Sequence, residues 1–240
     1  MAKGDLPGPE SLSQRHLVDA YHEFAKEWHP DRVGCSTTVL FIGESPPPID
    51  QAVVEEYLDR GDERQIPYFY NAQETWSCRR LAYAISTLFF RPDKNAWKFG
   101  DRKRVFLERF QMSGFLLKDL HEIPLGRGDS TKDFRGMESR QKRFQEITDS
   151  SPHDDIIVLL KKLDDWVPKK IKRDSEHYRA VKFPTRCGPQ SLSDALSALR
   201  YHLDVETGFY KKDCEMSMNG TPPRGATTES RTAAPWRQSF

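Results

Sequence analysis

The most regular feature of the chain is a series of short apolar runs separated by longer amphipathic stretches. The first run, Val39-Leu40-Phe41-Ile42, is apolar on both faces, which is typical of a central parallel strand covered by helices. Comparable runs recur downstream, and we expect a strand at each of them. The four predicted strands are 37–43, 114–120, 155–160 and 178–183.

The stretches around these runs carry apolar residues at helical spacing. They predict helices at 10–29, 49–60, 75–90, 105–112, 140–148 and 191–203. Strands that alternate with helices indicate a parallel sheet with helices on both sides. We therefore expect an α/β fold with three α/β/α layers and a central four-stranded parallel sheet. Because ligands of such sheets bind beyond the carboxyl ends of the strands, residues directly after the strands are the first candidates for a site.

Length and composition suit one domain. The chain has 240 residues, of which 37% are hydrophobic and 30% charged; we expect a single domain over 1–210. Small and polar residues dominate 211–240, which we expect to form a flexible C-terminal tail. No run approaches the roughly 18 apolar residues of a membrane helix, and the N-terminus lacks an apolar leader. The expectation is a cytoplasmic monomer without membrane association.

The charge of the chain permits nucleic-acid binding without requiring it. The net charge is only +1, but basic residues cluster at 102–104, 140–143 and 169–173. One basic face could follow phosphates, and solvated helix surfaces are the alternative explanation of the same clusters. Lys170 and Lys172 in the last cluster are candidate DNA contacts.

The cysteines do not predict a metal site. No two of them have the short spacing of zinc or iron–sulfur ligands; they are Cys35, Cys78, Cys187 and Cys214. Reduced thiols are the simpler interpretation for a cytosolic protein. No metal and no cofactor is expected.

The turn Gly43-Glu44-Ser45-Pro46-Pro47 follows the first predicted strand and is the strongest candidate for chemistry. A nucleophile elbow would need glycine at the position of Pro47, and this proline excludes the sharp turn into a helix. A phosphate-binding loop would need several glycines and a lysine. The open alternatives are a functional turn and a proline-rich turn that only ends a buried strand.

Four motifs in the same order resemble the uracil-DNA glycosylase superfamily over about residues 36–203. They are Gly43-Glu44-Ser45-Pro46 after the first strand, the aromatic segment Tyr68-Phe69-Tyr70, 116–120 at the end of the second strand, and 181–186 before the last helix. The resemblance implies the fold of that superfamily and an enzyme that extrudes a base from DNA and stacks it on an aromatic side chain. Gly43, Ser45, Pro46, Tyr68, Phe69 and Tyr70 are then base-binding candidates.

The chain departs from the motifs of that superfamily at three positions. Ser45 stands where a water-activating Asp or Asn is usual, Asp119 where the base-reading Asn is usual, and Phe183 where a His is usual. The remaining carboxylates, Glu44 and Asp119, are therefore the catalytic candidates, because a carboxylate can stabilise the sugar cation and activate water. His121 could replace the lost histidine, and a plain core or surface histidine is the alternative.

Base preference is expected to follow from Asp119. An ionised carboxylate only accepts hydrogen bonds, which suits the amino group of cytosine better than uracil. The loop before the last helix is expected to contact the DNA backbone through Thr185, Arg186, Gly188 and Gln190, with phosphate at the helix N-terminus. No lysine falls in a motif, so a lyase step is not expected.

These features predict a monofunctional DNA glycosylase. It would remove a non-standard pyrimidine, such as a modified cytosine of phage DNA, and leave an abasic site in repair or antiviral defence. One alternative is a non-catalytic nucleic-acid-binding protein on the same fold. Another is a small-molecule nucleosidase or hydrolase, which would show little salt-dependent affinity for DNA.

Overall fold

The computed structural model describes residues 12–46, 56, 60, 66, 68–73, 85–90, 100–122, 137–174, 176–181 and 190–213. Within these ranges the helices are α1 (Leu12–Glu27), α2 (Gly100–Met112), α3 (Met137–Asp149), α4 (Lys169–Arg173) and α5 (Gln190–Ala198). Short 3-10 helices span Pro30–Val33 and Lys161–Trp166, and 85–89 is helical. The strands are β1 (Val39–Gly43), β2 (Phe115–Asp119), β3 (Asp155–Val158), β4 (Tyr178–Ala180), β5 (Tyr201–Leu203) and β6 (Tyr210–Lys212).

Strands β1 to β4 form a parallel sheet in the order β2-β1-β3-β4. The predicted four-stranded parallel sheet and the α/β fold class are confirmed. In the pairing of β1 with β2, Val39 lies opposite Phe115 and Gly43 opposite Asp119. The carboxyl ends of these two strands therefore meet at one edge, and β2 is the outer strand on that side.

Helices cover the sheet on both faces, which explains why every residue of β1 is buried. On one face, Phe110 of α2 packs against Phe41 and Phe115, with ring centroids 5.6 Å apart in each case. On the other face, Lys118 of β2 reaches Ser150 at the end of α3. Gly114 joins α2 to β2 at a φ of 68°, and a Cβ there would lie 2.6 Å from the Ser36 carbonyl oxygen.

The prediction that the last helix continues to residue 203 is wrong. Helix α5 ends at Ala198, because Arg200 adopts a left-handed backbone conformation with φ 65°. The chain then enters β5, which pairs with β6 in a separate antiparallel sheet. Strand β6 continues to Lys212, so regular structure extends past residue 210, where the predicted tail begins.

The remaining predicted elements fall partly or wholly on other residues. Helices α2 and α3 begin at Gly100 and Met137, earlier than their predicted starts at 105 and 140. Most of the predicted helices at 49–60 and 75–90 lies outside the described residues. None of the described helices is long and apolar enough to cross a membrane.

Candidate active site at the carboxyl ends of β1 and β2

Gly43 and Asp119 form a close contact at the ends of neighbouring strands. The two residues are partners in the β1–β2 register. A Cβ built on Gly43 would lie 2.2 Å from Asp119 Oδ1, which is far inside van der Waals contact. The Asp119 carboxyl group therefore occupies the space that any larger residue at position 43 would need. Glycine in the first motif is explained by this fit.

Backbone hydrogen bonds extend the pairing beyond the strands. The Leu120 N–H donates to the Gly43 carbonyl at 3.1 Å, and the His121 N–H donates to the Glu44 carbonyl at 3.0 Å. Glu44 and His121 are thereby fixed side by side directly after the sheet. The Glu44 side chain is partly buried, and His121 is 5% exposed. Two carboxyl groups and an imidazole thus converge at this edge, as the strand-end argument predicted.

The carboxyl pair alters the acidity of Asp119. Burial and, to a smaller extent, the nearby Glu44 carboxylate together raise the pKa of Asp119 to about 7. Asp119 consequently exchanges its proton near neutral pH. A carboxyl pair in which one member holds a proton can divide acid and base roles.

A cavity of about 520 Å³ opens beside Asp119. It follows the free edge of β2 between α1 and α3. Four of the predicted site residues line it: Pro46, Tyr68, Asp119 and His121. Its volume lies within the range of small-molecule sites, which is about 300–1,000 Å³.

The three aromatic residues of the second motif have different environments. Tyr68 is partly exposed in the cavity and stacks on Tyr21 of α1, with ring centroids 4.3 Å apart. Phe69 is 2% exposed and packs edge-on against Phe106 and Phe110. Of the three, Tyr68 is the one that lines the cavity.

Tyr70 closes the open edge of β2. Its hydroxyl accepts a hydrogen bond from the Leu117 N–H at 2.6 Å and donates one to the Leu117 carbonyl at 3.2 Å. These backbone groups face away from β1, since Gly114 O and Leu120 N bond to that strand. Burial raises the pKa of Tyr70 above its ordinary value. Tyr70 therefore stabilises the strand that carries Asp119 and is fully buried while doing so.

The His121 ring packs against an aromatic residue beside the site. Its ring lies edge-on to Trp166, with centroids 5.8 Å apart. The guanidinium carbon of Arg140 lies 5.3 Å from the Trp166 ring centre. The position of the imidazole is thus set by packing against an aromatic residue of the Lys161–Trp166 helix, which the sequence did not connect with the site.

The other predicted site residues that the structure describes do not line this cavity. Lys170 lines a second cavity, of about 630 Å³, beside the amino ends of β3 and β4. Lys172 forms an ion pair with Asp164 at 2.9 Å, and Gln190 donates to Asp194 at 2.8 Å. Ser45 is partly buried after β1, next to Glu44. The remaining predicted residues, Phe183, Thr185, Arg186 and Gly188, lie outside the described residues.

Three basic side chains at the cavity were missed as site residues. Lys26, Lys118 and Arg143 all line it. A signal for Lys118 was present, because a lysine inside the apolar run of a predicted strand is seldom buried without a partner. Arg143 belonged to a noted basic cluster, but its place beside β2 depends on how α3 packs. Among the described residues, no three potential ligand side chains are grouped to hold a metal ion.

Comparisons with protein-family models, with curated proteins and with solved structures returned no match to this chain. Functional conclusions therefore depend on the residues and the geometry described above.

Proposed function

We propose that this protein is a monofunctional DNA glycosylase that hydrolyses the N-glycosidic bond of a non-standard pyrimidine and leaves an abasic site. The observation that carries the proposal is the pair of carboxyl groups, Glu44 and Asp119, at the ends of adjacent parallel strands beside a cavity lined by Tyr68 and His121. The motif resemblance supports the same reaction independently of this geometry.

Cleavage of an N-glycosidic bond develops positive charge on the sugar and negative charge on the departing base. With Asp119 holding the shared proton, the Glu44 carboxylate is the group that stabilises the sugar cation and orients the attacking water. The His121 imidazole lies on the cavity wall, where it can donate a hydrogen bond to the departing base. Glu44 is accordingly assigned to the sugar side and His121 to the base side.

Tyr68 is the proposed stacking surface. Its contact with Tyr21 fixes the ring, which lowers the entropy lost when a base stacks on it. Enzymes that act on extruded bases commonly hold them against such aromatic side chains. Phe69 and Tyr70 then contribute by holding Tyr68 and β2 in position.

The proton on Asp119 changes the expected base preference. A protonated carboxyl group both donates and accepts, so it can match the ring nitrogen and amino group of cytosine or the corresponding groups of uracil. The ionised form only accepts and favours the amino group of a cytosine-type base. We therefore expect broader base recognition below pH 7 and a preference for cytosine-type bases above it.

The experiment is a release assay on duplex and single-stranded DNA that contains uracil, modified cytosines or phage-modified bases. Abasic sites are converted to strand breaks with alkali, and released bases are identified by mass spectrometry. Glu44→Gln is expected to lower the single-turnover rate by at least about 100-fold, as is typical for loss of a positioned acid or base. Glu138→Gln, an exposed carboxylate on α3, is the matched control and is expected to leave the rate unchanged.

Two results would contradict the proposal. Full activity of Glu44→Gln would contradict the role assigned to Glu44, which is to stabilise the sugar cation and orient the attacking water. DNA binding by the wild-type protein without base release from any substrate would instead favour the non-catalytic nucleic-acid-binding protein. Release from free nucleosides, with little salt-dependent DNA affinity, would favour a nucleosidase.

A further inference from the structure

The cations around the cavity are unevenly neutralised. Arg143 is engaged at three nitrogens: its Nε donates to the Leu120 carbonyl at 3.0 Å, and its two terminal nitrogens face Glu122 at 2.9 Å and Glu146 at 3.5 Å. Its positive charge is thus balanced by two carboxylates, and its donors are largely used.

Lys118 has a different environment. Within the described part of the chain, its ammonium group donates to Ser150 Oγ at 3.3 Å and forms no ion pair. An ammonium group has three N–H donors, so two remain for a ligand. The side chain lines the cavity, together with Asp119.

The surroundings of Lys118 favour an added anion. Burial lowers the pKa of Lys118, and the Arg143 guanidinium lowers it in the same direction. Both effects oppose the charged form of the lysine, and an anion bound at the ammonium group would offset both. Lys26 also borders the cavity and, among the described residues, forms one exposed contact, with Glu23 at 3.4 Å. Of the lysine and arginine side chains that line the cavity, Lys118 is therefore the one that forms no ion pair with a carboxylate among the described residues.

The strand geometry relates this cation to the reaction site. Lys118 and Asp119 are successive residues of β2, so their side chains leave opposite faces of the strand. Both reach the same cavity because β2 is an edge strand. If the base of a nucleotide contacts Asp119, the phosphate of that nucleotide can reach Lys118 on the opposite face of β2.

We propose that Lys118, with Arg143 behind it, binds a backbone phosphate of the DNA strand whose base enters the cavity. This inference rests on the proposed function, since it takes the ligand to be DNA. It replaces Lys170, which lines the other cavity, as the principal phosphate contact near the site. A phosphate oxygen accepts from the two remaining Lys118 donors, and Arg143 stays engaged with Leu120, Glu122 and Glu146.

The test is fluorescence anisotropy of the full-length protein with a labelled duplex that carries one tetrahydrofuran abasic-site analogue. This probe cannot be cleaved, so binding is measured independently of chemistry. Lys118→Gln is expected to weaken binding about tenfold at low salt. The slope of log affinity against log NaCl concentration is expected to fall by about 0.9, as for one lost phosphate contact. Lys118→Arg and Lys170→Gln are expected to remain within about twofold of wild type.

Each other outcome has a definite meaning. Wild-type affinity and slope in Lys118→Gln would overturn the inference, as would a loss of affinity confined to Lys170→Gln or failure of the wild type to bind the probe. The inference is also overturned if Lys118→Gln weakens binding of a labelled oligoglutamate peptide and leaves DNA binding unchanged. Lys118-dependent binding without base release would contradict the glycosylase and retain the phosphate site. Base release by the wild type, with unchanged DNA binding by Lys118→Gln, would support the glycosylase and contradict the phosphate site.

Discussion

Each of the two strands that flank β1 carries an aspartate at one end. One aspartate is fully buried and the other partly buried, and they lie at opposite strand ends. Asp155, at the amino end of β3, is fully buried and surrounded by donors. Its carboxylate accepts from His177 Nδ1 at 2.8 Å, from the Tyr201 hydroxyl at 2.7 Å and from Lys212 Nζ at 2.6 Å. Asp119, at the carboxyl end of β2, instead faces a second carboxylate, and its pKa rises to about 7.

The difference separates a structural from a functional arrangement. The donors around Asp155 offset the cost of burying its charge, and they fasten β5 and β6 to the main sheet. Asp119 has no such compensation from Glu44, and a costly like-charge pair of this kind is more typical of a functional site than of a structural one. The comparison therefore assigns a structural role to the carboxylate at the amino end of β3 and makes the carboxyl end of β2 the candidate site.

The largest expected effect comes from one substitution made at both sites. Asp155→Asn removes the negative charge opposite Lys212 and is expected to lower the free energy of unfolding by about 3 kcal/mol. Asp119→Asn removes a like-charge conflict and is expected not to lower the free energy of unfolding at pH 7. Urea unfolding monitored by circular dichroism measures both. Equal destabilisation by the two variants would end the distinction between the sites.

The pH dependence of stability sharpens the comparison. The folded-state pKa of Asp119 is about 7, against an ordinary value of 3.8. Between these values the folded protein keeps a proton that the unfolded chain releases, so this contribution is fully present below about pH 4 and lost as the pH rises through 7.

Wild type is therefore expected to lose about 3 to 4 kcal/mol more of its unfolding free energy than Asp119→Asn between pH 4 and 7.5. Urea unfolding at several pH values tests this, and Asp155→Asn is the control that retains the Asp119 contribution. Parallel pH profiles for wild type and Asp119→Asn would contradict the shifted pKa.

The smallest expected effect concerns the fit of Asp119 against Gly43. Gly43→Ala is expected to destabilise the protein by about 1 kcal/mol, because the new Cβ displaces the carboxyl group of Asp119. In an Asp119→Ala background the same change should cost less, since the obstructing atom is absent. A double-mutant cycle of unfolding free energies measures this coupling. Additive effects would show that the contact does not constrain position 43.

Several features of the site follow from sequence pattern because they depend on local chain properties. The apolar run before Gly43 predicts a buried strand, and the polar residues after it predict a turn at the end of that strand. The same reasoning applies to 114–120, which carries Asp119 near its carboxyl end. Since parallel strands present their carboxyl ends at one edge, the proximity of Glu44 and Asp119 could be predicted without knowing the register.

Other features depend on contacts between distant segments. Tyr68, Phe69 and Tyr70 are consecutive aromatic residues, and nothing local distinguishes the one that faces the cavity from the two in the core. Residues 201–203 continue an apolar helical pattern, but Arg200 adopts a left-handed conformation and the chain pairs with β6 instead. Tertiary pairing overrides helical periodicity there, because the hairpin buries Tyr201 against Asp155.

The sequence by itself determined an α/β fold with four parallel strands and located Glu44 and Asp119 after two of them, because strand burial and strand ends are encoded in short apolar runs. Only the tertiary structure decided that Asp119 lies against Gly43 with a raised pKa, whereas Asp155 is neutralised by three donors. It also decided that Lys118 rather than Lys170 borders the cavity. Burial and electrostatics act between residues brought together by folding, and their strength depends on distances that no single segment contains.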